Sequence, residues 1–233
     1  MLIYQSNPTI VAKVNNQILK IFSDTVSCEE EFNRLGKVTS PLVDKSRSNQ
    51  YEMSVVKSLG IFNNILIMAP ADGVCLSSIP SVSNGTYVIV GEILAEFHLM
   101  KFDINGIYEP RLFGDFSIKH IYVNSKLKII SLIDPGANFM VQGNQLEDVV
   151  RFLFSVVDFF RYRPIRACFI LKSFMNGYLS QKSTDSDDLK LMINYRKQRS
   201  IEKYHLQKTP LRARLGTIIL NYNRAVIWLA LRC

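Results

Sequence analysis

Phe113-Gly114-Asp115-Phe116-Ser117-Ile118-Lys119-His120 runs into the apolar stretch Ile121-Tyr122-Val123, and a second stretch, Ile129-Ile130-Ser131-Leu132-Ile133, ends in Asp134-Pro135-Gly136. Asp134 stands nineteen residues after Asp115. Short β-branched runs bounded by turn formers read as strands, so the segment reads strand, turn, strand. A hairpin here would bring both carboxylates to one end of one small sheet, one as a base and the other as a metal ligand. Taken singly, a Gly-Asp before a strand or an Asp-Pro-Gly is most simply a turn, because these residues favour turns. Their joint spacing and surroundings carry the argument.

Upstream, Thr9-Ile10-Val11-Ala12-Lys13-Val14 and Gln17-Ile18-Leu19-Lys20-Ile21-Phe22 flank Asn15-Asn16, which predicts a hairpin. Ser27 stands three residues before Glu30, a capping-box spacing that predicts a helix start at Ser27, with Phe32 and Leu35 as its apolar stripe. Residues 51–56 and 65–68 read as two strands with Gly60 and Asn63-Asn64 at the turn between them. The loop Pro70-Ala71-Asp72-Gly73 marks a boundary, dividing the chain into an N-terminal lobe, 1–69, and a C-terminal lobe, 70–233. Beyond it, Val90, Ile93, Leu94, Phe97 and Met100 recur at helical spacing. After the aspartate-bearing hairpin, 147–160 and 165–179 read as apolar helices and 181–188 as a polar linker. A basic helical region begins at Leu189, breaks at Pro210 and resumes near Thr217. The fold class is α+β: a small β-rich lobe with one helix, then a mostly helical lobe containing one hairpin.

The chain has 233 residues, 48% hydrophobic and 21% charged, which suits a globular protein with a sizeable core. Cys28, Cys75, Cys168 and Cys233 are far apart and form no close ligand pair, so a structural zinc site is not expected. Dispersed cysteines suit reduced thiols and a cytoplasmic location. No basic leader precedes a long apolar run, and no run of about eighteen apolar residues occurs, so neither a signal peptide nor a spanning helix is expected. The formal charge of +8 is compatible with ordinary surface variation, a phosphate-bearing substrate, nucleic acid or an anionic membrane surface.

With these elements in place, the chain resembles the aminoglycoside phosphotransferase and choline kinase type of kinase-like phosphotransferase, from about Thr9 to Tyr178. The family's catalytic loop reads His-Gly-Asp, four variable residues, then Asn, and Asp115 falls on its aspartate. The resemblance implies a two-lobed protein-kinase-like fold and transfer of a phosphoryl group from ATP to a hydroxyl of a small molecule, with Mg²⁺. Asp115 would be the base. Asp134 matches the metal-binding aspartate, and His120 stands where the family has its second metal ligand, Asn. Lys20 in Leu19-Lys20-Ile21-Phe22 would contact the nucleotide phosphates. Glu31 matches the helix glutamate that pairs with this lysine, with Glu30 as the other candidate. Met68, Ala69 and Pro70 resemble the hinge along the adenine, and Ala95-Glu96-Phe97-His98 the helix before the catalytic loop. The acceptor would be a sugar, amino alcohol or related metabolite.

Three departures stand out: His120 for Asn, Phe113 for the motif's first His, and no glycine before Asn15, hence no glycine-rich phosphate loop. They support a second hypothesis, a pseudokinase acting as a binding or scaffold module. Glu29-Glu30-Glu31 also has a simpler reading as favourable charge near a helix N-terminus. His98 reads as structural and His205 as solvated. Lys190, Arg196, Lys197, Arg199, Lys203, Lys208, Arg212 and Arg214, interleaved with Tyr195 and Tyr204, read first as a solvated helical face. Aromatics among basic residues can also stack on nucleic-acid bases, but a nucleic-acid partner is not expected. An anionic membrane or anionic acceptor is the remaining reading of that tract.

Overall fold

Three consecutive antiparallel strands begin the first sheet: β1 (Leu2–Ser6), β2 (Thr9–Val14) and β3 (Gln17–Ile21). The computed structural model describes residues 2–6, 9–36, 42–43, 50–78, 83–100, 102–104, 107–109, 111–136, 139–207 and 210–232, with backbone alone for 2–6, 102–104, 107–109, 203, 204 and 207. Val14 pairs with Gln17 across Asn15-Asn16, and Asn15 takes the left-handed φ of 53° that asparagine tolerates. Ser6 pairs with Thr9, so only two residues, Asn7 and Pro8, link β1 to β2.

Helix α1 (Thr25–Gly36) follows. Asp24, rather than Ser27, caps it: the Asp24 carboxylate accepts from the Ser27 backbone N–H at 2.7 Å and from the Ser27 hydroxyl at 3.0 Å. An ionised carboxylate satisfies a free first-turn N–H better than a hydroxyl does, which moves the helix start three residues ahead of the expected position. The buried stripe of α1 is Cys28, Glu31 and Leu35. Next come β4 (Glu52–Val55), β5 (Ser58–Phe62) and β6 (Ile65–Met68). The expected turn at Gly60 is instead part of β5, where a bulge between Ser58 and Gly60 shifts the register against β6. The first sheet has the order β1-β2-β3-β6-β5.

The hairpin read from the sequence is present as β10 (Ile121–Asn124) and β11 (Ile129–Leu132), following two short strand pieces, β8 (Phe102–Ile104) and β9 (Ile107–Glu109), that pair with each other. It belongs to a second sheet of order β4-β11-β10-β7, where β7 is Val74–Cys75. Parallel pairing from Ile129↔Glu52 to Leu132↔Val55 binds β11 to β4. By its contacts the chain divides into two compact units, Met1–Cys75 with His120–Pro135, and Leu76–Lys119 with Gly136–Cys233. The hairpin therefore groups with the N-terminal strands, whereas a division at residues 69 and 70 puts it with the helices.

The second unit is built on α2 (Asn84–Leu99), α3 (Leu146–Phe159), α4 (Pro164–Gln181), α5 (Ser186–Gln207) and α6 (Pro210–Arg232). Helices α2 and α4 cross at contact distance. A Cβ on Gly177 would lie 2.0 Å from the Val88 carbonyl oxygen, and one on Gly91 would lie 2.1 Å from that of Phe174. Helix α3 fills the centre with Val149, Val150, Phe152, Leu153 and Val156, all fully buried, and Phe152 stacks on Phe174 at 4.1 Å between ring centroids. Helix α6 begins at Pro210 itself. Proline suits the first helical position, where its missing N–H is not needed, so the expected restart near Thr217 comes seven residues early. Among the described residues no helix is long and apolar enough to cross a membrane.

Candidate functional site

In the first unit, Lys20 sits in β3 opposite Leu66 of β6, on the buried face of the sheet. A lysine there needs compensation, since an isolated buried ammonium is strongly disfavoured. Glu31 supplies it from the buried stripe of α1: Lys20 Nζ donates to Glu31 Oε1 at 2.7 Å. Asp134, just beyond β11, accepts from the same ammonium through Oδ1. Asp134 has a left-handed φ of 56°, a conformation aspartate tolerates better than most residues. Arg34 closes the other side, donating to the Pro135 carbonyl at 3.3 Å.

One ammonium thus serves two carboxylates, and Arg34, 3.9 Å from Glu31 Oε2, supplies a second, more distant positive charge. Burial pulls the Lys20 pKa down, but Asp134 and then Glu31 outweigh it and hold it above the usual lysine value. Burial pushes Glu31 up against the opposing pull of Lys20. Burial acts on Asp134 in the same sense, but there Lys20 wins, and the carboxyl is held below its usual value. The Asp134 side chain is 45% exposed, against 9% and 10% for Lys20 and Glu31. Asp134 is therefore the ionised, accessible member. His120, at the entry to β10, is near enough for its charge to favour Asp134 ionisation.

Among the described residues no three His, Cys, Asp or Glu side chains come together as a metal-binding group. Magnesium is commonly held by one or two carboxylates, with phosphate and water completing its shell. The donor set fits that pattern: one accessible carboxylate, Asp134, held ionised beside Lys20. The hinge-like segment has fewer free groups. Ala69 N–H donates to the Lys57 carbonyl at 2.9 Å and Pro70 has no N–H, so Ala69 and Pro70 can offer only carbonyls there. Met68, the last residue of β6, is 8% exposed.

In the second unit, the loop bearing Asp115 hangs from a buried carboxylate that the sequence reading missed. Asp148, in the first turn of α3 and fully buried, accepts from Phe113 N–H at 2.7 Å and Gly114 N–H at 2.8 Å. Its Oδ2 also meets His98 Nε2 at 3.3 Å, and His98 Nδ1 meets the Tyr178 hydroxyl at 2.9 Å. Burial pulls the His98 pKa down against the influence of Asp148, so the ring is neutral. A carboxylate only accepts, so Nε2 carries the proton and Tyr178 donates to Nδ1. Gly114 has a φ of 89°, and the Gly136 backbone lies against Gly114 and Asp115 so closely that a Cβ there would be 2.6 Å from the Gly114 carbonyl carbon. Phe113, standing in the position of a histidine, is core: it packs edge-on to Phe139 and Phe116 at 5.5 and 5.9 Å.

Asp115 itself is partly exposed and pairs with Arg151 of α3 at 3.2 Å. It opens on a cavity of about 240 Å³ lined by Ser117, Arg151, Ser155, Arg196, Ser200 and Asn223, among others. A second cavity of about 350 Å³ shares Arg151, Arg196 and Ser200 and adds Glu147, Tyr195 and Arg199. Part of the basic tract, Arg196 and Arg199, thus lines these cavities rather than forming a plain solvated face. Lys208 lies outside the described residues, as do the side chains of Lys203 and Tyr204. The sequence-predicted residues therefore fall into two groups, Lys20, Glu31 and Asp134 with His120 nearby, and Asp115 with Arg151.

No known protein family matches the chain, and none of the curated proteins matches it. Its fold does match solved structures. The macrolide 2'-phosphotransferase MphH from Brachybacterium faecium, an apoenzyme, superimposes with a TM-score of 0.57 at 10% identity, covering 91% of this chain and 88% of its own. Amicoumacin kinase hAmiN, in complex with AMP-PNP, Ca²⁺ and Ami, gives a TM-score of 0.56 at 11% identity, covering 96% and 87%. The chain has the α+β fold of the kinase-like phosphotransferases.

Proposed function

We propose that this protein transfers the γ-phosphoryl group of ATP to a hydroxyl of a small molecule. The observation that carries the reading is the cluster in the first unit, a buried lysine shared by a buried glutamate and an accessible aspartate. Glu31 would hold Lys20 extended toward the nucleotide phosphates. Asp134, with His120 nearby, would hold Mg²⁺, which when bound neutralises phosphate charge. Asp115 would orient the acceptor hydroxyl and take its proton, and Asp148 would fix the backbone from which Asp115 projects. The backbone carbonyls of Ala69 and Pro70, with Met68, would face the adenine. The likeness to structures whose names describe antibiotic kinases supports the reaction class and leaves the acceptor open.

A second reading, a pseudokinase used as a binding module, is favoured by the two-residue link between β1 and β2. That stretch holds no glycine, so it carries no glycine-rich loop over the phosphates. One experiment separates the two. Thermal stability is measured with ATP, with and without Mg²⁺, on wild type and Asp134→Ala, followed by ATP turnover over a panel of hydroxyl acceptors. Saturation at a hundredfold over Kd adds about 2.7 kcal/mol. The phosphotransferase predicts a metal-dependent shift lost in Asp134→Ala, and turnover. A shift without turnover, or no shift in wild type, would overturn the phosphotransferase and favour the pseudokinase used as a binding or scaffold module.

A further inference from the structure

The cavities beside Asp115 hold more cationic and unpaired polar groups than their own residues satisfy. Arg151 is engaged by Asp115 through one terminal nitrogen, but its Nε is buried with no hydrogen-bond partner. Asn223 Oδ1, on the α6 wall, is also buried and unpaired. Asp158 is paired with Arg161. Arg196 and Arg199, one turn apart on α5, make no hydrogen bond or ion pair among the described residues. Burial first, and the neighbouring Arg151 second, bring the Arg196 pKa down to about 10, which leaves it charged at neutral pH. Arg196, half-buried beside Arg151 on one partly enclosed cavity, costs free energy unless something anionic compensates, and Arg199 stands exposed at the rim. The acidic residues at this wall, Asp115 and Glu147, act on Arg196 only at longer range.

We propose that the acceptor is a polyhydroxylated small molecule carrying an oxyanion, such as a phosphate ester. Arg196 and Arg199 would grip the oxyanion, Arg151 would donate through Nε, and Asn223 Oδ1 would receive one of the acceptor's hydroxyl groups. Guanidinium groups suit this task because their fixed fork of N–H donors matches the geometry of a phosphate or carboxylate. The proposal rests on the phosphotransferase reading for the role of Asp115, but the anion site stands on its own residues.

The test uses inorganic phosphate as probe. Its binding is measured by calorimetry on the whole protein with saturating AMP-PNP and Mg²⁺, so that any nucleotide site is closed to the probe. Wild type, Arg196→Gln, Arg199→Gln and the double variant are compared. Each substitution is expected to weaken phosphate binding by roughly tenfold or more, as loss of a charge-assisted hydrogen bond implies, and the effect shrinks with added salt. The exposed Arg199→Gln serves as the second variant should Arg196→Gln fold poorly. Absence of phosphate binding to wild type at millimolar concentration, or equal binding by the double variant, overturns the proposal. The AMP-PNP shift recorded in the same samples reports on the kinase reading separately. Arginine-dependent phosphate binding without a nucleotide shift would end that reading and keep the anion site.

Discussion

Removing the Lys20 ammonium should cost stability in a way that depends on pH, because it strands Glu31. In Lys20→Met the Glu31 side chain, 10% exposed, loses its 2.7 Å partner and keeps only Arg34 at 3.9 Å. The buried carboxylate then either stays ionised at a high desolvation cost or takes up a proton. Protonation sets the ceiling: from an ordinary value of 4.5, neutralising a carboxyl at pH 7 costs about 3.4 kcal/mol, at about 1.36 kcal/mol per pH unit. At pH 5 the same step costs about 0.7 kcal/mol. Urea denaturation should therefore show Lys20→Met less stable than wild type by about 3 kcal/mol at pH 7 and by about 1 kcal/mol at pH 5. Lys20→Met/Glu31→Leu removes the stranded charge and should recover to within about 1 kcal/mol of wild type at pH 7. Neither variant should show the nucleotide shift. Equal destabilisation at pH 5 and pH 7, or a double variant no better than the single, would refute the reasoning about Glu31.

Asp148→Asn leaves one acceptor oxygen for two backbone N–H groups and turns an N–H donor toward the loop. We expect a loss of roughly 2–4 kcal/mol in denaturant unfolding, from an unpaired buried N–H and a lost charge-assisted bond. Turnover should fall with unchanged AMP-PNP binding, and wild-type turnover would count against the role of Asp148 in presenting Asp115. Gly177→Ala should destabilise by about 1–3 kcal/mol or more through overpacking against Val88, read as a lower Tm, whereas Gly36→Ala, which meets nothing within 4 Å, should leave the Tm nearly unchanged.

The parts of this fold that the sequence made legible are those whose signals are local. The β2–β3 hairpin follows from two β-branched runs around Asn15-Asn16, and β10–β11 from the runs before Asp134. Where a local signal had a competitor, the stronger chemistry won. Ser27 has capping-box spacing, yet Asp24, three residues earlier, offers an ionised acceptor to the same turn. Pro210 reads as a break, but the described helix begins there. The β8–β9 pair had a usable signal in Asn105-Gly106, a turn dipeptide between Phe102–Ile104 and Ile107–Glu109, although those two residues lie outside the described set.

The site residues show the other limit. Lys20 alternates with apolar neighbours in β3, and periodicity alone cannot say which face is buried. What decides it is Glu31, which occupies a core position on α1 where a leucine would otherwise serve. A charged residue in a buried stripe is a sequence signal for a partner, though not for which one. Asp148 carries the same signal: it opens a helix whose next residues, Val149, Val150, Phe152 and Leu153, are all fully buried. Its partners are the backbone of Phe113 and Gly114, more than thirty residues earlier, and backbone donors leave no trace in side-chain identity. Arg196 had no such mark, because a basic tract on an exposed helix is the commonest of surfaces. Only the fold, by placing Arg196 on the cavity wall shared with Asp115 and Arg151, turns an ordinary arginine into a candidate for choosing the acceptor.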